Sequence, residues 1–145
     1  MTTSPQEGGF MDAVTDVRLG REIVAQGKLQ SLREQLHLTR SAMAELLHTS
    51  VFTYSSWESK PHTQIWPTTA SRIGRFYESA VHQLQLLAED GISMEELVPL
   101  HIAASTLGVP QELLFKWCRE EKLETADLGV LGLWIYRDNI DYLNK

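Results

Sequence analysis

The chain has 145 residues, 43% of them hydrophobic and 22% charged, with thirteen Lys and Arg against nineteen Asp and Glu. That apolar share over that length supports the core of one ordinary domain or two very small ones and excludes wholesale disorder. The single cysteine, Cys118, excludes an internal disulfide and a cysteine-paired zinc site, and the net charge of −6 argues against nucleic acid as a partner.

Residues 1–11, polar with Pro5, Gly8 and Gly9, are read as a flexible lead. They lack the basic start and apolar stretch of a signal peptide, and no run approaches the roughly 18 apolar residues of a membrane span, which points to a soluble cytoplasmic protein. From Asp12, apolar residues at three- and four-residue spacing (Val14, Val17, Ile23, Val24, Leu29, Leu32, Leu36) predict one long or two short helices ending near Leu36. Gly20 and Gly27 each weaken that pattern by about 1 kcal/mol relative to alanine. Thr39 is the expected N-cap of a short helix at 41–47, and His48-Thr49-Ser50 links it tightly to another at 51–58. Lys60-Pro61 stops that helix, and Pro67 opens a long one. Its stripe of Ala70, Ile73, Tyr77, Ala80, Leu84 and Leu87 suits core packing or a dimer seam.

Glu89-Asp90-Gly91 ends the long helix, and a second unit starts with a capping-box pattern, Ser93 and Glu96. Short helices are expected at 101–107 and 111–121, joined by a turn at Gly108-Val109-Pro110. Gly129 and Gly132 bracket a stretch before Leu133-Trp-Ile-Tyr that suits a small two-stranded hairpin, and Asp138 can cap a last short helix at 139–143. The fold class expected is mainly α. Its N-terminal helix-turn-helix bundle and long linking helix occupy 12–90, and a small C-terminal winged helix-turn-helix with a short β-hairpin occupies 91–145.

Charge is unevenly placed along this plan. Residues 28–76 carry six basic groups against Glu34, Glu45 and Glu58, for +3, whereas residues 77–145 carry five basic and twelve acidic groups, for −7. The most informative stretch, Leu29 to Glu58, lies in the basic part. Ala44 is small where two short helices must cross closely, and Met43, Leu47, Tyr54 and Trp57 have the spacing to seal the crossing. Ser50, Val51, Phe52, Thr53, Ser55 and Ser56 are then left facing outward, on a helix slim enough for the major groove of B-DNA.

These residues resemble the lambda-repressor and Cro-like helix-turn-helix family. Leu32-Arg33-Glu34 and Leu38-Thr39 match its first helix and the approach to its second, Ala44 its close-packing alanine, and Trp57-Glu58 the end of its recognition helix. The likeness covers about residues 28–80 and departs at His48, where the family usually has Gly, and at Lys60-Pro61-His62. It implies double-stranded DNA as partner. Arg40 would lie against phosphate or the recognition helix, and Ser50, Phe52, Thr53 and Ser56 would contact DNA, with Phe52 able to pack on a thymine methyl or else fill the core. Lys60, His62, Arg72 and Arg75 are candidate phosphate contacts.

Val98 to Pro110, Leu114 to Leu123 and Leu133 to Ile140 are similar to excisionase and MerR-like winged helix-turn-helix modules, best at Ala103-Ala104 and Leu107-Gly108-Val109. That likeness places Gln111, Lys116 and Arg119 on a helix able to face DNA and makes Trp134 an anchor for the wing. Glu112, Glu120, Glu121 and Asp127 stand where such modules are usually basic, leaving only Lys116, Arg119 and Lys122. A chain with both modules resembles the immunity repressors of temperate phages, which act in the bacterial cytoplasm. A homodimer or a protein partner, through the long helix or the acidic C-terminal domain, is the other partner expected. The competing expectation is a protein-interaction adaptor such as an antitoxin or anti-repressor. The five histidines are scattered and no Gly-rich phosphate loop is present, so neither a cofactor, a metal nor an enzymatic activity is expected; Cys118 reads as a small buried hydrophobe.

Overall fold

The computed structural model describes residues 5–60, 64–120 and 123–143. The chain is mainly helical and divides into two compact units, 1–79 and 80–145, with the division falling inside one long helix. The division falls eleven residues before the boundary expected at 90. The last turns of that helix belong with the second unit: Gln83 Nε2 lies 3.2 Å from where a Cβ on Gly129 would be.

Unit 1 contains α1 (Pro5–Ala25), α2 (Lys28–Gln35), α3 (Arg40–Leu46), α4 (Val51–Ser59) and the first part of α5 (Pro67–Glu89). α1 begins at Pro5, so 5–11 of the flexible lead expected at 1–11 are helical, while 1–4 lie outside the described residues; a proline tolerates the first helical turn because its missing N–H would be unbonded there anyway. The helical stretch before Leu36 is two helices, not one, because Gly27 takes a left-handed conformation (φ 70°) between α1 and α2. Ile23, Val24, Leu29, Leu32 and Leu36 are all buried, at 3% exposure or less. α1 and α5 meet without side chains between them. A Cβ on Gly20 would lie 1.8 Å from the Ala70 carbonyl oxygen, and one on Gly74 would lie 2.5 Å from that of Asp16. Arg21 Nη2 donates to the Ile65 carbonyl at 3.2 Å, tying α1 to the segment before α5.

The α5 stripe is core. Ala70, Ile73, Ala80 and Leu87 are buried with Phe76, while Tyr77 and Leu84 are half-buried. No helix among the described residues is long and apolar enough to cross a membrane.

Unit 2 continues with β1 (Leu97–Pro99), α6 (Leu100–Leu107), α7 (Gln111–Glu120), β2 (Thr125–Asp127), β3 (Leu133–Tyr136) and α8 (Arg137–Leu143). The expected capping box forms, with Ser93 and Glu96 bonding reciprocally, though it closes a single 3₁₀ turn at 94–96. The expected hairpin forms from β2 and β3, and β1 joins it to make a three-stranded antiparallel sheet in the order β1-β3-β2. β1 pairs Val98 with Ile135, and β2 pairs Ala126 with Trp134. Pro99 is tolerated in β1 because that strand lies at an edge, where one row of N–H groups needs no partner. The core of this unit joins Val98, Ala103, Ala104, Leu114, Cys118, Ile135 and Ile140. Asp138 lies in the first turn of α8, which starts one residue before it.

Candidate nucleic-acid interface

α3 and α4 are each started by a hydroxyl. Thr39 Oγ1 accepts the Ala42 N–H at 3.1 Å, as its position before an apolar run predicts, and Ser50 Oγ accepts the Thr53 N–H at 3.1 Å. Between them the chain turns through Leu47, His48, Thr49 and Ser50. The His48 N–H bonds the Glu45 carbonyl and the Thr49 N–H bonds that of Ala44, the paired bonds that close a helix when the next residue is left-handed. His48 is that residue, at φ 56°, and His37 does the same after α2. A side chain there is strained by about 1–2 kcal/mol. His48→Gly is therefore expected to raise the stability of the chain by about 0.5–1 kcal/mol, after allowing for the looser unfolded chain. A urea midpoint that stays or falls would show that the imidazole holds the turn in another way.

Ala44 (2% exposed) lies in the crossing with Met43, Leu47, Tyr54 and Trp57, all buried, and the Tyr54 and Trp57 rings meet edge-on at 6.0 Å. A cluster of charge locks the far end of α4. Arg33 Nε and Nη2 donate to the two Glu58 carboxylate oxygens at 2.8 and 3.1 Å, while Nη1 donates to the Leu38 carbonyl at 3.1 Å. Arg40 Nε adds a bond to Glu58 Oε1 at 3.2 Å. The Glu58 side chain is 1% exposed. Burial alone would raise its pKa, but the Arg33 hydrogen bonds and the nearby guanidinium charges outweigh burial and hold the carboxyl below its ordinary value. The same bonds raise Arg33. Beside them the Tyr54 hydroxyl is buried outside hydrogen-bond geometry, and burial followed by the Glu58 charge pushes it far above the ordinary phenol range.

The outward face is what remains. Ser50, Val51, Phe52 and Thr53 are exposed, Ser55 and Ser56 half-buried, and Phe52 is 87% exposed, so its alternative place in the core is excluded. Arg40 lies against the end of α4, the second of the two positions expected for it. Lys60 follows the C-terminus of α4 as its capping residue, roughly 15 Å from Ser50 along the helix axis. Arg75 is exposed with Nε 3.9 Å from the Asp16 carboxylate, and Arg72 Nε is buried without a hydrogen-bond partner among the described residues. His62 lies outside the described residues. Sequence reading missed the Arg33–Glu58 lock and the exposed Trp66 (79%) just before α5.

In unit 2, Gln111, Lys116 and Arg119 are all exposed on α7. Lys116 Nζ stands 3.9 Å from Glu120, and the Arg119 guanidinium lies 5.8 Å from the Phe115 ring centre. Leu113 and Phe115 are also exposed. Trp134 is buried, with its indole N–H donating to the Leu131 carbonyl at 2.9 Å, so it fixes the turn between β2 and β3. Cys118 is buried and burial pushes its thiol pKa up, which disfavours the reactive thiolate. Glu121 and Lys122 lie outside the described residues. No group of three or more His, Cys, Asp or Glu able to hold a metal occurs among the described residues. No family model, no curated protein and no solved structure matches this chain.

Proposed function

We propose that the chain is a sequence-specific DNA-binding transcriptional repressor of the bacterial cytoplasm, of the kind that keeps a temperate phage silent in its host. In this reading α4 enters the major groove, and unit 2 contacts an adjacent site through Gln111, Lys116 and Arg119. The observation that supports it is the outward face of α4: small hydroxyls and one phenyl ring stand in water on a helix whose opposite side is sealed by Tyr54 and Trp57. Its single acidic group is turned inward and tied to two arginines, so nothing negative on that helix faces a phosphate backbone.

The test is fluorescence anisotropy with genomic fragments across a salt series. Specific binding at about 50 mM salt that weakens steeply as salt rises is expected, since each neutralised phosphate contributes a slope of about −0.9 on logarithmic axes. No binding at low salt overturns the proposal. Two unlike reading heads on one chain suit an asymmetric site bound one to one, whereas a two-fold dimer needs a palindrome with half-sites about 34 Å apart.

A second reading attaches to unit 2 alone. Phe115 stands exposed on α7 three residues after the exposed Glu112, which favours a protein partner at that face over phosphate. Lys116→Ala combined with Arg119→Ala separates the two: a loss of DNA affinity supports the adjacent site, and unchanged affinity supports the protein partner.

A further inference from the structure

On the reading of α4 as a DNA-reading helix, we infer that the base it selects is thymine, with Phe52 on the C5 methyl and the Thr53 hydroxyl on O4. The inference comes from counting what the face still has to offer. Ser50 Oγ already accepts the Thr53 N–H at 3.1 Å, and the Ser50 and Thr53 hydroxyls bond each other at 3.0 Å. One proton joins those two oxygens, so a single O–H of the pair is left to face a ligand. Ser56 donates its proton to the Thr53 carbonyl at 2.6 Å. Of the Ser50, Thr53 and Ser56 hydroxyls, only that of Thr53 keeps a proton for a ligand.

The rest of the face is apolar. Phe52 is 87% and Val51 44% exposed. From Val51 to Ser59 there is no Arg, Lys, Asn or Gln, so the paired hydrogen bonds that select guanine or adenine have no source on this helix. In the major groove cytosine shows a donor and adenine an acceptor beside a donor. Guanine shows two acceptors with no apolar group. A hydroxyl oxygen can accept as well as donate, so the apolar side chain decides: thymine alone shows a methyl, beside an acceptor, which matches an exposed phenyl ring beside a hydroxyl proton. Charge is complementary as well: residues 28–76 sum to +3, and the Glu58 carboxylate is 1% exposed between Arg33 and Arg40.

The test uses the full chain and duplexes recovered by selection from a random-sequence library. Each thymine protected in the major groove is replaced singly by deoxyuridine, which removes the methyl and keeps O4. One or two replacements are expected to weaken binding about five- to tenfold, the scale of one lost buried methyl and its packing. In Phe52→Ala, which removes a side chain already in water and should leave the thermal midpoint unchanged, the same replacements are expected to have no effect. Exchanging the selected thymine for 5-methylcytosine restores the methyl but turns the acceptor into a donor, so wild type should still lose affinity while Thr53→Val should discriminate less. If duplexes are recovered but every deoxyuridine is bound as tightly as thymine, the thymine assignment is overturned and DNA binding stands. If no duplex is recovered, both fall together.

Discussion

Gly20→Ala is expected to destabilise unit 1 by about 3 kcal/mol, the upper part of the range for overpacking a core. Helix propensity alone predicts the reverse, because alanine in a helix interior is favoured over glycine by about 1 kcal/mol. The close approach of α1 and α5 decides the sign: the new methyl would fall 1.8 Å from the Ala70 carbonyl oxygen, which is backbone and cannot rotate away. The helices must separate, and the buried Ile73 and Ile23 would then lose contact atoms that no rotamer change restores. Gly74→Ala meets the Asp16 carbonyl at 2.5 Å in the same crossing and should act likewise. Since one separation relieves both clashes, the double variant should fall short of the summed losses. Gly27→Ala is the control. Nothing lies within 4 Å of its Cβ, and only left-handed strain of about 1 kcal/mol is expected. Urea midpoints order the three variants, and a Gly20→Ala chain as stable as wild type would refute the crossing.

That pair of glycines marks where sequence reading stopped. Within a window of a dozen residues Gly20 is only a weak point in a helical pattern; its reason sits fifty residues away on α5. Signals that act over three or four residues were readable: Thr39 caps α3, Pro67 opens α5, and Ser93 and Glu96 bond as their spacing predicts. The strand β1 was not readable, because three residues ending in proline show no alternation and become a strand only by pairing with Leu133–Tyr136. The candidate interface divides the same way. Its outward residues follow from helical spacing around Tyr54 and Trp57. The engagement of its hydroxyls follows from Ser50 being a helix cap, a role that its place directly before Val51, the first helical residue, does signal. Charge was misleading as a total and informative by segment. The position of Glu58 beside Arg33, twenty-five residues earlier, depends on the folded crossing and on nothing local.

That ion pair carries the second large effect. Arg33→Ala leaves a carboxylate that is 1% exposed with only the partly exposed Arg40 against it, and the Leu38 carbonyl loses its donor. Removing one partner from a buried pair costs about 3–5 kcal/mol, whereas Arg40→Ala, at a side chain 45% exposed, should cost about 0.5 kcal/mol. The asymmetry is the point: much of the first loss is the stranded charge, so Arg33→Met with Glu58→Leu should be more stable than Arg33→Ala alone. Protonation tests the same account without removing atoms from the arginines. The Glu58 pKa is lowered on folding, so its contribution is complete above the ordinary glutamate value of about 4.3 and is lost as pH falls through the lowered folded value. The stability gap between wild type and Glu58→Gln should therefore be flat from about pH 7 to 5 and close below about pH 4. On the DNA-binding proposal, Arg33→Ala should also loosen the end of α4 and weaken binding to every duplex alike. A gap that stays constant through the acid range would mean that Glu58 acts by shape and hydrogen bonding, with no share from its charge.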